Sequence, residues 1–171
     1  MLHIYHGEGK GKTTAAMGLA LRAAGRGQRV VIAQFLKGTD TGERYALALL
    51  PNVTLLPVPE KVKFSFRMNE QERREATERF DALCQSCQAA MDRGEAQMVV
   101  LDEACAAVTT GLLPLEGLLH LLDGAPDDVE LVVTGRNPAP ELLERADYIT
   151  EMKLTRHPYQ KGIRARKGIE F

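Results

Sequence analysis

Residues 2–13, LHIYHGEGKGKT, set a short strand-like run against a glycine-laced turn ending in Gly11-Lys12-Thr13, and the alanine-rich stretch that follows has helical spacing. Strand, glycine turn, helix is the setting in which such a turn cradles phosphate. A helix amino terminus carries a partial positive charge and N–H groups without intrahelical partners, both suited to an anion. Gly7, Gly9 and Gly11 let successive amides turn inward as an anion nest. Lys12 is placed to reach over the phosphates, and the Thr13 hydroxyl to ligate Mg²⁺. Gly7, Glu8, Gly9, Lys10, Gly11, Lys12, Thr13 and Thr14 are therefore the candidate ATP-binding set. The strict spacing of a phosphate loop would put its first glycine where His6 stands, so this loop is one residue short.

Outward from that turn, strand and helix patterns alternate. Residues 29–35 (RVVIAQF), 97–102 (QMVVLD) and 129–134 (VELVVT) are continuous apolar runs of the kind buried on both faces of a parallel sheet. Residues 53–58 (VTLLPV) form a weaker strand whose Pro57 suits a sheet edge. Helical patterns occupy 12–24, 69–92, 114–122 and 140–146. This order predicts a single α/β domain over residues 1–171, a three-layer sandwich with a mostly parallel sheet and right-handed crossovers. Ligands in such sheets sit beyond the carboxyl ends of the strands, where the loops after His6, Phe35, Val58, Asp102 and Thr134 are expected to converge.

The run MVVLDE, residues 98–103, ends an apolar strand in two carboxylates. Asp102 and Glu103 beside Thr13 would complete a magnesium site, because a small hard cation takes oxygen ligands. Phosphate loop and acidic strand end together imply Mg-nucleotide binding without fixing the reaction. An ATPase or a small-molecule kinase fits these elements too.

The remaining composition narrows the field. A formal net charge of −1 provides no global field to recruit nucleic acid or an anionic membrane. The apolar runs fall far short of the roughly 20 residues a membrane span needs, so a cytoplasmic protein is expected. Cys84, Cys87 and Cys105 cannot all pair within one chain, and the Cys84–Cys87 spacing falls inside a helical pattern with no second ligand pair near it, which favours plain helix residues. The basic tail, with Lys153, Arg156, Lys161, Arg164, Arg166 and Lys167, reads as a solvated surface or a contact for ligand anions. Arg136 suits either a ligand anion or an acid of the helix after it, and the polar loop 37–43 is a further candidate contact. Phe64 and Phe66, flanking Ser65, taken alone read as a plug at a core edge.

In family order the chain carries GEGKGKTTAA, QFLKGTDTGE, FSF, VVLDE, LPLE, TGRNPAPELLERAD and HPYQKGIRARKGIEF. In these segments it resembles the P-loop corrinoid adenosyltransferases. The resemblance implies a P-loop NTPase-like fold and transfer of the 5′-deoxyadenosyl group of ATP to a reduced corrinoid with release of triphosphate. It implies ATP lying reversed in the compact loop, Lys12, Phe64 and Phe66 as catalytic residues, and Phe64, Phe66 and Arg136 against the corrinoid. The aromatics would keep an axial ligand off the lower face of cobalt and so ease reduction of Co(II). The resemblance further implies Mg²⁺ as cofactor and a homodimer, and leaves room for an electron-donor protein as partner.

Overall fold

The computed structural model describes residues 1–60, 63 and 65–170. Six strands form one sheet: β1 (Leu2–His6), β2 (Val30–Gln34), β3 (Val53–Leu55), β4 (Met98–Asp102), β5 (Glu130–Gly135) and β6 (Tyr148–Glu151). Their order is β3-β2-β4-β5-β1-β6 and every pairing is parallel. Parallel neighbours need long crossovers, which the helices supply: α1 (Lys12–Ala24), α2 (Gly42–Leu47), α3 (Glu70–Asp92), α4 (Ala104–Thr109), α5 (Leu115–Asp123) and α6 (Pro140–Arg145).

Strand periodicity decides which layer each residue joins. Val30, Ile32, Val100 and Val132 face α1 and Leu47 of α2, whereas Val31, Ala33, Val99, Leu101 and Val133 face the layer built by α3, α4, α5 and α6. Both faces of the central strands are thereby covered, which is why these strands read as unbroken apolar runs. α1 buries Ala16, Met17, Ala20, Ala23 and Ala24, a stripe of mostly small side chains that lets the helix lie close over β4 and β5.

The long helix α3 begins at a reciprocal cap. Asn69 Oδ1 accepts from the Glu72 amide at 2.9 Å, and Glu72 Oε2 accepts from the Asn69 amide at 3.0 Å. Along it Ala76, Phe80, Leu83, Cys87, Ala90 and Met91 are buried. Burial pushes the thiols of Cys84 and Cys87 up to about 12, and that of Cys105, in α4, to about 12 as well, so all three are apolar packing groups at neutral pH. No helix among the described residues is long and apolar enough to cross a membrane.

The segment 53–58 is shorter than its apolar pattern suggests: β3 stops at Leu55 and lies at the sheet edge, the position to which Pro57 points. β6, α2 and α4 lie outside the strand and helix patterns read from the sequence, each being six residues or fewer.

Candidate nucleotide site

Sheet register brings the functional side chains together. Gln34 at the end of β2 pairs with Asp102 at the end of β4, while His6 of β1 lies opposite Gly135 of β5. The loops leaving these strands surround a cavity of about 910 Å³, lined by residues 8–14 of the phosphate loop, Lys37, Glu43, Glu103 and Arg136.

The glycine-rich loop, residues 7–11, is held by backbone geometry. Gly7 and Gly11 have φ of 110° and 119°, values that L side chains resist. Gly9 is needed for a different reason, close approach: its amide donates to the Met152 carbonyl at 2.6 Å, and a Cβ there would lie 2.6 Å from that oxygen and 2.7 Å from the Lys153 carbonyl. The junction after β6 thus clamps the loop. Gly11 caps α1, whose amino terminus opens on the cavity. Lys12 is 8% exposed, and its Nζ donates to the carbonyls of Gly7 at 2.7 Å and Gly9 at 2.8 Å. Burial lowers its pKa, an effect partly offset by the Glu103 carboxylate.

Behind the loop lies a buried polar network. Asp102, fully buried, accepts at Oδ1 from the hydroxyls of Thr13 (2.9 Å) and Thr134 (2.7 Å), and at Oδ2 from Gln34 Nε2 (3.2 Å) and Lys37 Nζ (3.0 Å). Gln34 Nε2 also donates to Glu43 Oε1, and Gln34 Oε1 accepts from Arg44. Lys37 Nζ donates to Thr13 Oγ1 at 3.1 Å and Glu43 Oε1 at 3.2 Å. Burial works against the Lys37 ammonium, but the carboxylates of Asp102 and Glu43 outweigh it and raise its pKa; in the same way Lys37 overcomes burial to lower that of Glu43.

Glu103 takes a left-handed conformation, φ 62°, uncommon for a residue with a side chain, and its amide donates to Thr134 Oγ1 at 2.9 Å. Burial first, and then Asp102, push its carboxyl above the ordinary range. No described residue donates a hydrogen bond to that carboxylate, which lines the cavity. Gly135, φ 146°, allows the end of β5 to meet α4, since a Cβ there would lie 2.7 Å from Cys105 Cβ.

Among the described residues no group of three His, Cys, Asp or Glu side chains could enclose a metal. Among the described residues, the Thr13 hydroxyl, whose proton is committed to Asp102, and the Glu103 carboxylate on the cavity wall keep lone pairs for a cation. An ionised carboxylate offers about four lone-pair positions, and Asp102 already has four donors.

Over residues 1–171 the chain matches the family described as ATP:corrinoid adenosyltransferase BtuR/CobO/CobP. The chain belongs to that family. It is similar to a corrinoid adenosyltransferase of Pseudomonas aeruginosa, 34% identical over 100% of this chain and 83% of the relative. The corrinoid adenosyltransferase of Escherichia coli K12 is 33% identical over 98% of this chain and 84% of its own. The corrinoid adenosyltransferase CobA of Salmonella typhimurium is 34% identical over the same shares, 98% and 84%.

The residues expected to meet the second substrate of an adenosyltransferase are less gathered. Phe64 lies outside the described residues. Phe66 sits in a 3₁₀ turn over Ser65–Arg67, is 77% exposed, and has the Arg67 guanidinium 5.6 Å from its ring centre, so it does not plug a core edge. It is not on the wall of the cavity lined by residues 8–14. Arg136 pairs with Glu8 of the phosphate loop at 3.1 Å, and not with an acid of α6. The basic side chains of the tail do not line the cavity either: Leu154, His157, Tyr159 and Ile169 form that wall, while Arg166 pairs with Glu170. Gln34 and Thr134 are the residues of this network outside the candidate set, whereas Lys37 and Glu43 belong to the loop 37–43 expected as a contact. The signal available was a lone glutamine ending an otherwise apolar strand, QFLKG, level with the acidic end of another.

Proposed function

We propose that this chain, acting as one domain, transfers the 5′-deoxyadenosyl group of ATP to the cobalt of a reduced corrinoid and releases triphosphate. The match of the whole chain to the ATP:corrinoid adenosyltransferase family carries the reading. The compact loop, with its helix amino terminus, Lys12 and Thr13 on one cavity wall, supports it.

Co(I) of the corrin substrate is a strong nucleophile and attacks C5′ in line. The Co–C bond forms with the metal's electron pair, the C5′–O bond breaks, and its pair leaves on the triphosphate. A Co(II) substrate must first gain one electron from a donor. No proton has to be removed, so no general base is required. The barrier depends on charge gathering on the departing polyphosphate. In our reading the amides of the phosphate loop and the Lys12 ammonium stabilise that charge, each donor in a dry site being worth about 3 to 4 kcal/mol. Lys12 would exchange its two loop carbonyls for phosphate oxygens.

Magnesium fits the oxygens available: Thr13 and Glu103 would hold it, and Asp102, which orients the Thr13 hydroxyl, would join them on giving up one of its four donors. When bound it would supply further charge neutralisation at the leaving group. Phe66, aromatic and exposed, is assigned to the corrin face together with Phe64, and a homodimer and an electron-donor protein complete the reading.

The test is product analysis with MgATP, chemically reduced cobalamin and isotope in the γ-phosphate. Labelled triphosphate and an alkylcobalt spectrum are expected. ADP or inorganic phosphate without an alkylcobalt product would refute the reading in favour of a hydrolase or kinase.

A further inference from the structure

Adenosyl transfer gives Lys37 no part, although its ammonium bridges Thr13, a proposed metal ligand, and the carboxylates of Asp102 and Glu43. Nζ lies 3.1 Å from Thr13 Oγ1, 3.0 Å from Asp102 Oδ2 and 3.2 Å from Glu43 Oε1. The Thr13 hydroxyl gives its proton to Asp102 Oδ1 and accepts from Lys37, so the ammonium already occupies one of the two lone pairs that a metal could use. Asp102 is saturated by four donors. Thr134 and Gln34 are buried and fixed at strand ends, whereas the Lys37 side chain is 20% exposed and lies on the loop beyond β2, so it is the donor able to leave.

Charge explains why an ammonium stands there. A buried carboxylate is costly without a cation beside it. A divalent ion entering next to a retained ammonium would meet like-charge repulsion. One of the two must yield. Lys37 also lines the cavity, so an ammonium leaving Asp102 has the polyphosphate space to enter.

We propose that the Lys37 ammonium, bridging Thr13, Asp102 and Glu43, holds the place of the divalent cation and must be displaced for the metal to bind. This rests on the nucleotide reading of the site. Lys37 then keeps the nucleotide-free protein a weak metal binder and couples metal entry to arrival of a polyanion that can accept the lysine.

Titration of nucleotide-free protein with Mn²⁺, read by the loss of the free-ion signal in electron paramagnetic resonance, tests this without either substrate. Lys37→Met should bind Mn²⁺ at least tenfold more tightly than wild type, Lys37→Arg should stay close to wild type, and adding Thr13→Val to Lys37→Met should abolish the gain. Unchanged or weaker binding by Lys37→Met, or a gain that survives Thr13→Val, would overturn the proposal. If Lys37→Met does not fold, acetylation of wild-type Lys37, followed by peptide mass spectrometry, decides. Labelling should rise as Mn²⁺ is raised until its binding saturates, and constant or reduced labelling at saturation would overturn the assignment. Failure here leaves adenosyl transfer standing, whereas ADP as the product would sink that reading and leave the Mn²⁺ result intact.

Discussion

Lys12 donates to two carbonyls of its own loop, so the loop and its lysine form one folded unit before any phosphate is considered. In the proposed transfer, removing the ammonium takes away a donor to the leaving group. Lys12→Ala is expected to lower adenosyl transfer by about 10² to 10³, whether the assay starts from Co(II) or from pre-reduced Co(I). Turnover at the wild-type rate would remove Lys12 from the mechanism. Phe66 calls for the opposite pattern, because an aromatic that keeps an axial ligand off cobalt acts on reduction. Phe66→Ala should depress adenosylation of Co(II) with a biological reductant far more than transfer to Co(I), and equal losses would reduce the ring to packing. At this scale the sequence carried Lys12, Thr13 and Asp102 plainly, since a local motif announces them. It did not carry the Gln34–Asp102–Lys37–Glu43 network, which exists only because β2 and β4 are neighbours, an adjacency of residues 68 positions apart.

Two glycines near the start of the chain separate what an element needs from what its contacts need. Gly18 lies inside α1 and a Cβ there would meet nothing within 4 Å, whereas one at Gly9 would strike the backbone after β6. Gly18→Ala should stabilise the fold by about 0.5 to 1 kcal/mol through the helix propensity of alanine. Gly9→Ala should lower stability and phosphate affinity together, because the carbonyls it meets are backbone and cannot swing away. Chemical denaturation of both variants checks the pair, and a harmless Gly9→Ala would mean that the loop is not clamped. The clamp also shows why β6 was illegible. Four exposed residues, Tyr148–Glu151, have no buried face to impose alternation, and only their pairing with β1 makes them a strand. The long elements were readable for the converse reason: burial on both faces of β2, β4 and β5, and the one-sided stripes of α1 and α3, write their period into the sequence.

Over the molecule as a whole, the carboxylates at the strand ends tie stability to pH and to ligands. Glu103 has a folded-state pKa raised above its ordinary 4.5 by burial and by Asp102, so within that window the folded protein holds more proton than the unfolded chain. Stability owing to this group therefore falls as pH rises through the window. Glu103→Gln, which keeps the backbone preference, should be more stable than wild type at pH 7, with the difference vanishing as pH falls below 4.5. Parallel denaturation curves across pH check the sign, and a Gln variant less stable at pH 7 would reverse it. Binding acts on the same groups by mass action. A ligand at a hundred times its Kd stabilises the folded state by about 2.7 kcal/mol, which for a chain of this size raises Tm by roughly 5 to 10 °C. MgATP is expected to produce such a shift and excess EDTA to remove most of it, since a polyphosphate without its metal must rely on Lys12 and the loop amides alone. Thr13→Val should show the small shift with or without EDTA. A full MgATP shift in that variant, measured by scanning calorimetry, would mean that the cation is held away from Thr13 and that the oxygens gathered at the start of α1 and the end of β4 serve the fold instead of the nucleotide.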